Sequence, residues 1–139
     1  MKYPAKLKKQ KEGFLVTFRD IPEALTEGST YEEAIEMAED ALTTAMDFYF
    51  EDNRQVPKPS QPKKDEILIE LPLSVATKVL LLNTLIQERV SQVDLAKRMG
   101  IKPQQVTRIV DLEHRTKIDT VQQAFKALGK TIDIHVEVN

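Results

Sequence analysis

Polar and basic side chains recur at helical spacing from Ser91 to Val110 and continue just beyond it. Side chains of these types can donate hydrogen bonds to base edges and phosphates of DNA. The candidate DNA contacts are Gln92, Lys102, Gln104, Gln105, Thr107, Arg108, Arg115 and Lys117. Of these, Gln104 and Arg108 are placed to read bases. Gln92, at the start of a helix, is expected to anchor a phosphate together with the lysines and Arg115.

The residues around Gly100 predict the element that presents these side chains, a helix-turn-helix. Ser91 followed by Asp94 resembles a capping box at the start of the first helix. Gly100 can adopt the positive φ that ends this helix, and Pro103 suits the first turn of the second. Apolar residues at helical spacing predict the buried side, namely Leu95, Ala96, Met99, Val106 and Ile109. The alternative is a helical hairpin in a bundle with no role in nucleic-acid binding.

The charge of the chain is unevenly distributed, although its net value is only −2. Residues 1–56 contain seven Lys/Arg and twelve Asp/Glu, a net charge of −5. Residues 71–139 contain ten and seven, a net charge of +3. The basic half suits DNA and the acidic half suits a cationic partner, unless both are ordinary solvated surface.

Composition argues against several other functions. The chain has no cysteine, which fits a reducing cytoplasm, and with only two histidines a zinc site is not expected. We find no apolar run of membrane-spanning length and no signal-peptide core, so we expect a cytoplasmic protein that does not contact a membrane.

Alternating apolar residues predict a sheet in the acidic half. Strands are predicted over Tyr3–Lys9, Phe14–Phe18 and Ala24–Glu27, and the first two are expected to form a hairpin. Ile67–Leu71 has the same pattern and is expected to return to this sheet. The segment between, Val56–Lys64, contains three prolines and predicts an extended, semi-rigid spacer. A boundary near Pro72 then gives domains over residues 1–71 and 72–139.

A long helix is predicted from Thr30, which forms a T-x-x-E capping box with Glu33. No basic residue occurs between Thr30 and Asp52, so one face of this helix is acidic. That face is either solvated or binds a cationic partner. Asp20, Glu33 and Glu36 could hold a metal in a nuclease, but no histidine base or glycine-rich phosphate loop accompanies them. We therefore expect no enzymatic activity, no metal and no cofactor.

Three runs of residues resemble the HicB antitoxins of toxin–antitoxin systems. The first is D-I-P-E-A-x-T-x-G-x-T-x-x-E-A over residues 20–34, and the second is D-F-Y-F-E-D over residues 47–52. The third, L-P-L-S-V-A-T-K-V-L-L-L-N over residues 71–83, is similar to the HicB subgroup with a helix-turn-helix tail. The resemblance spans nearly the whole chain in the same order.

This resemblance implies an α+β protein. Its N-terminal half would be a partial RNase H-like β-β-β-α-β domain without nuclease activity. The four helices predicted in the C-terminal half resemble a DNA-binding domain of the Xre/Cro type. Its partner would be a HicA toxin, a small basic ribonuclease of dsRNA-binding-like fold that cuts mRNA using a histidine. The toxin-binding residues do not follow from the motifs. The acidic helix and one earlier carboxylate supply the candidates Asp20, Glu36, Glu39, Asp40 and Asp47.

In the C-terminal half, Ser74 is a candidate N-cap for a buried helix to about Arg89, and Asp119 with Gln122 resembles a capping box. The strict alternation over residues 131–138 predicts a final strand, with the candidate dimer contacts Ile132, Ile134, Val136 and Val138 on one face. A lone strand leaves its backbone unpaired, so we expect antiparallel pairing with a second copy in a homodimer or higher homo-oligomer. The alternative is pairing with Ile67–Leu71 or another part of its own sheet.

Together these features predict an antitoxin that inhibits an mRNA-cleaving toxin and represses its own operon. A dimer would place two recognition helices about 34 Å apart on a palindromic operator. The alternative is a stand-alone repressor whose N-terminal half senses a small molecule. A metal-dependent nuclease is a third and weaker alternative.

Overall fold

The computed structural model describes every residue from Met1 to Asn139 and confirms an α+β fold. The elements in chain order are β1 (Lys2–Lys9), β2 (Phe14–Thr17), β3 (Leu25–Gly28), α1 (Tyr31–Glu51), β4 (Glu66–Glu70), α2 (Leu73–Gln87), α3 (Gln92–Met99), α4 (Pro103–Ile109) and α5 (Ile118–Ala127). The N-terminal half therefore has the β-β-β-α-β order that the resemblance implies. None of the helices combines the length and the apolar character needed to cross a membrane.

The four strands form one antiparallel sheet in the order β3-β2-β1-β4. Strand β4 pairs with β1, with Ile69 opposite Tyr3, so the chain does return to this sheet after the proline-rich segment. Helix α1 covers one face of the sheet through an apolar stripe that includes Leu42 and Met46. Gly28 lets the end of β3 approach the first turn of α1 closely, because a Cβ at this position would lie 2.4 Å from the backbone nitrogen of Ala34.

The proline-rich segment lacks regular secondary structure but is not a free spacer. Val56 is 1% exposed, and its backbone N–H and C=O both hydrogen-bond the side-chain amide of Asn83. The Tyr3 hydroxyl donates to the carbonyl of Pro57, and Asp20 accepts two hydrogen bonds from Ser60. The segment is thus fixed to the sheet domain and to α2.

Helix α2 belongs to two hydrophobic cores. Val75, Val79 and Leu82 pack in the core beneath the sheet, whereas Leu81 and Leu85 pack in a second core with α3, α4 and α5. The predicted boundary near Pro72 coincides with a change of secondary structure, but packing continues across it through α2.

Two predicted helix caps are wrong. Pro72, not Ser74, is the N-cap of α2, because the Pro72 carbonyl already accepts hydrogen bonds from the amides of Val75 and Ala76. Helix α5 likewise begins after Lys117, so Asp119 lies inside its first turn and no side chain caps it. In each helix the N-cap lies two residues before the residue chosen from the sequence.

The predicted terminal strand does not form within a single chain. Residues 130–139 have no regular secondary structure, and Val136 and Val138 are 97% and 100% exposed. Ile134 is also exposed, whereas Ile132 packs partly against the second core. The alternative of pairing with the sheet of the same chain is wrong, since the sheet contains only β1 to β4, whereas pairing with a second copy stays a prediction. A strand needs a backbone partner, and the single chain supplies none.

Candidate nucleic-acid interface and acidic face

Helices α3 and α4 form the predicted helix-turn-helix. The Ser91 hydroxyl accepts a hydrogen bond from the amide of Asp94 at 3.1 Å, which caps α3. Gly100 ends this helix with a φ of +69°. Ala96 is fully buried, so α4 can pack closely against the backbone of α3. The cap, the turn glycine and the small contact residue are all confirmed.

Helix α4 presents its polar side chains outward as predicted. Val106 and Ile109 are buried, whereas Gln104, Gln105, Thr107 and Arg108 are exposed. The four exposed residues are not equally free. The Gln105 side chain accepts a hydrogen bond from the amide of Lys102 at 3.1 Å and so serves as a helix cap. Gln104 and Arg108 make no side-chain hydrogen bonds to other residues of the chain and are free to contact bases.

The start of α3 lies beside the middle of α4. The Thr107 hydroxyl lies 3.4 Å from Oε1 of Gln92, and both side chains are exposed. Arg89, which the sequence analysis did not select, lines the same cleft as Ser91 and Gln92. It has a left-handed backbone with a φ of +56° at the end of α2, a conformation that the local sequence does not signal because the residue is not glycine.

The predicted phosphate contacts that follow α4, the recognition helix of the motif, lie on the same surface as this helix. Arg108, Arg115 and Lys117 line one cleft between α4 and α5, together with His114 and Gln105. His114 is exposed on the loop, as the sequence suggested. Three cationic side chains, one from α4 and two from the following loop, therefore share one surface, which is the electrostatic requirement for holding a DNA backbone.

A buried lysine that the sequence analysis missed lies behind this surface. Lys78 of α2 is 3% exposed, and its ammonium group donates to backbone carbonyls at the end of α4 and in the following loop. The sequence gives no signal for this contact, because an isolated lysine within an apolar helix is usually expected to reach solvent.

The acidic face lies on α1, and its candidate residues are exposed. Glu36, Glu39 and Asp40 project from the helix away from the sheet. Asp47 lines a groove that it shares with Glu51 and with Thr107 of the recognition helix. The acidic face thus reaches the edge of the DNA-facing surface.

Asp20 differs from the other acidic candidates, because it is partly buried and engaged within the chain. Its Oδ2 and Oδ1 accept hydrogen bonds of 2.8 and 2.6 Å from the amide and the hydroxyl of Ser60. Both carboxylate oxygens therefore hold the proline-rich segment.

Shifted pKa values in the N-terminal half accompany structural contacts. Burial and a hydrogen bond to Glu23 raise the pKa of Tyr49 to about 12. The hydrogen bond from Arg19 and the amide of Lys63 lower the pKa of Glu66 to about 2. Each of these groups joins two segments of the fold.

These elements define a class of protein: a regulator with a DNA-binding helix-turn-helix joined to an acidic α+β domain. Comparison with known proteins supports both parts. Residues 2–80 match the family described as HicB-like antitoxin of bacterial toxin–antitoxin systems, and residues 85–135 match a helix-turn-helix family.

Full-length relatives give the same result. The chain is 54% identical over 134 residues to Antitoxin HicB 2 of Photorhabdus laumondii, covering 96% of this chain and 95% of the relative. It is 53% identical over 135 residues to Antitoxin HicB of Escherichia coli K12, covering 96% and 98%. It is 40% identical over 119 residues to Antitoxin HicB of Pseudomonas fluorescens, covering 85% and 82%. The chain belongs to the HicB-like antitoxin family.

Proposed function

We propose that this protein binds and inhibits a HicA-like, mRNA-cleaving toxin and represses its own operon by binding operator DNA. The observation that carries the proposal is the presence, in one chain, of a HicB-like region and a helix-turn-helix with a free polar face. The protein acts in the cytoplasm by binding, without catalysis and without a cofactor.

The toxin binds the acidic half. A net charge of −5 over residues 1–56 attracts a basic protein, and the exposed carboxylates of α1 form the most concentrated part of that charge. Charge complementarity of this kind speeds association and selects the partner more than it strengthens the final complex.

Co-expression with the small basic protein encoded next to this gene tests the toxin interaction. We expect the two proteins to co-purify and the toxin's RNA cleavage to be suppressed. Reversing two charges in Glu36→Lys/Glu39→Lys should slow association, whereas the control Glu27→Lys/Glu70→Lys on exposed strand positions should not. Equal behaviour of the two double variants would remove α1 from the interface.

The C-terminal half binds the operator through α4. Arg108→Ala should lower affinity by about 1–3 kcal/mol and relax the preference at one base pair, because Arg108 is free to contact a base. Lys117→Ala should weaken binding to all sequences alike and reduce the salt dependence, as expected for a phosphate contact. Uniform weakening by Arg108→Ala would instead make this residue a phosphate contact.

Operator binding requires two copies of the chain. Residues 131–138 pair antiparallel with the same residues of a second copy, through Ile132, Ile134, Val136 and Val138. The resulting dimer presents two recognition helices about 34 Å apart to successive major grooves of a palindromic site. The exposed, unpaired backbone of this segment and its strict apolar alternation support the assignment.

A further inference from the structure

The three buried polar or charged residues of this chain, Thr77, Lys78 and Asn83, all lie on α2. Thr77 donates to the carbonyl of Ser74 within the same helix, and Asn83 holds the backbone of Val56. Lys78 points away from the sheet domain, towards the end of α4 and the loop that follows it. Helix α2 is thus joined to the sheet domain by one buried polar side chain and to the DNA-binding helices by another.

The ammonium group of Lys78 is enclosed by backbone carbonyls. Its Nζ lies within 3.4 Å of the carbonyl oxygens of Arg108, Asp111 and His114, and no carboxylate lies within ion-pair distance. Arg108 is in the last turn of α4, where carbonyl groups lack helical partners and carry partial negative charge. An ammonium group has three donors, which matches the number of carbonyls.

Packing alone does not account for a lysine at this position. A buried cation is costly to desolvate, and burial lowers the pKa of Lys78 from its ordinary value. A methionine would fill similar space without that cost. The distinctive contribution of Lys78 is therefore its set of hydrogen bonds to the end of α4 and to the loop.

The held loop carries predicted DNA contacts. Residues 110–117 join α4 to α5 and include Arg115 and Lys117. Within the loop, the amides of Glu113 and His114 bond only to Asp111, so these contacts do not fix the loop to the rest of the fold. Leu112 packs partly against the first core, and Lys78 supplies the polar attachment to α2.

We infer that Lys78 is a positioning residue for operator binding, which fixes the end of the recognition helix and the loop bearing Arg115 and Lys117 against α2. Lys78 does not touch DNA itself. The inference rests on the proposed operator binding. It adds a residue that is buried behind the DNA-facing surface and that a search for exposed cations would not find.

Operator binding by full-length Lys78→Met tests the inference. We expect about a tenfold or greater loss of affinity and a fall of about one in the slope of log affinity against log salt, since a phosphate contact is lost when the loop moves. Co-purification with the toxin should be retained. Asn83→Leu is the matched control, because it removes the other buried attachment of α2; it should lower stability but leave the affinity and salt slope of the folded protein unchanged.

The outcomes separate the two proposals. Wild-type binding with unchanged affinity and salt slope in folded Lys78→Met would overturn the role of Lys78 alone. Failure of the wild type to bind its operator would overturn the proposed function and this inference with it. Hydrogen exchange of the wild type covers the case in which the variant does not fold: the amides of Asp111, Glu113 and His114 should be protected, and exchange as fast as in an unstructured peptide of the same sequence would overturn the inference.

Discussion

Two segments of this protein lack regular secondary structure, and their environments are opposite. Residues 56–64 are rich in proline, yet they are fixed against the sheet and α2. Residues 131–138 alternate like a strand, yet most of their side chains are exposed and their backbone pairs with no strand of the chain. The difference teaches that tertiary partners, rather than local sequence pattern, decide whether such a segment is held against the rest of the fold.

The two segments differ because they bury different numbers of side chains and form different numbers of hydrogen bonds to the rest of the chain. In the first segment, Val56 buries its side chain while Asn83 pairs both of its backbone groups. Tyr3 donates a hydrogen bond to the carbonyl of Pro57, and Asp20 accepts one from the amide of Ser60. In the second segment, Ile132 alone packs against a core, so the remaining residues gain little from tertiary contact within the single chain.

The largest effect on stability is expected at Val56, the buried first residue of the proline-rich segment. Val56→Asp places an unpaired charge in a fully buried site and should lower the free energy of unfolding by at least about 3 kcal/mol. Denaturant unfolding measures this change. Gln55→Asp adds the same charge at an exposed neighbour and should change stability by less than about 0.5 kcal/mol. Similar losses in both variants would mean that the segment is not anchored through Val56.

The terminal segment should affect assembly rather than folding. Val136→Lys should convert a dimer to a monomer and weaken operator binding on the order of 100-fold, because the second half-site no longer binds in the same complex. Light scattering and operator titration measure the two effects. His135→Lys adds a charge on the opposite face of the same segment and should preserve the dimer.

A stable Val136→Lys dimer would show that another surface joins the copies. Truncation after Gly129 gives an independent measurement, because it removes the whole segment. A truncated protein that remains dimeric would contradict pairing through residues 131–138.

A smaller effect is expected where Asp20 holds the proline-rich segment. Asp20→Ala removes two hydrogen bonds to Ser60 and should lower stability by about 1–2 kcal/mol. Asp65→Ala removes an exposed ion pair with Lys6 and should cost less than about 0.5 kcal/mol. If Asp20→Ala loses toxin binding with unchanged stability, Asp20 contacts the toxin instead of serving mainly as an anchor.

Acid should weaken the contacts of Glu66, which hold the C-terminal end of the proline-rich segment. Arg19 and the amide of Lys63 hold the pKa of Glu66 near 2, below its ordinary value of 4.5. A lowered pKa in the folded state contributes stability above pH 4.5, and that contribution is lost as the pH falls towards 2. Unfolding of the wild type should therefore lose more stability over this range than unfolding of Glu66→Gln. Stability that falls equally in the two proteins over this pH range would contradict the stabilising role of Glu66.

Local signals explain what was predicted correctly. The helix-turn-helix was found because Ser91, Gly100 and Pro103 act on neighbouring backbone and their spacing reports the caps and turn directly. The four strands of the sheet followed from alternation, and their bounds differ from the prediction by at most one residue at each end. The outward side chains of α4 followed from helical periodicity alone.

Contacts between distant residues explain what was missed. Lys78 meets carbonyls 30 or more positions away, and Asn83 meets Val56 across 27 positions. The caps of α2 and α5 were misplaced because backbone carbonyls of Pro72 and Lys117 begin those helices without a capping side chain. Residue spacing in the sequence does not predict contacts between residues so far apart.

The sequence by itself determined the order of elements, the position of the DNA-facing helix and the division of charge between the halves. Each of these depends on residue type and short-range periodicity. The tertiary structure decided that the proline-rich segment is held in place, that α2 serves two cores and that a buried lysine secures the recognition helix. These features depend on which groups meet after the chain folds, because a buried polar group must find its partners wherever the fold places them.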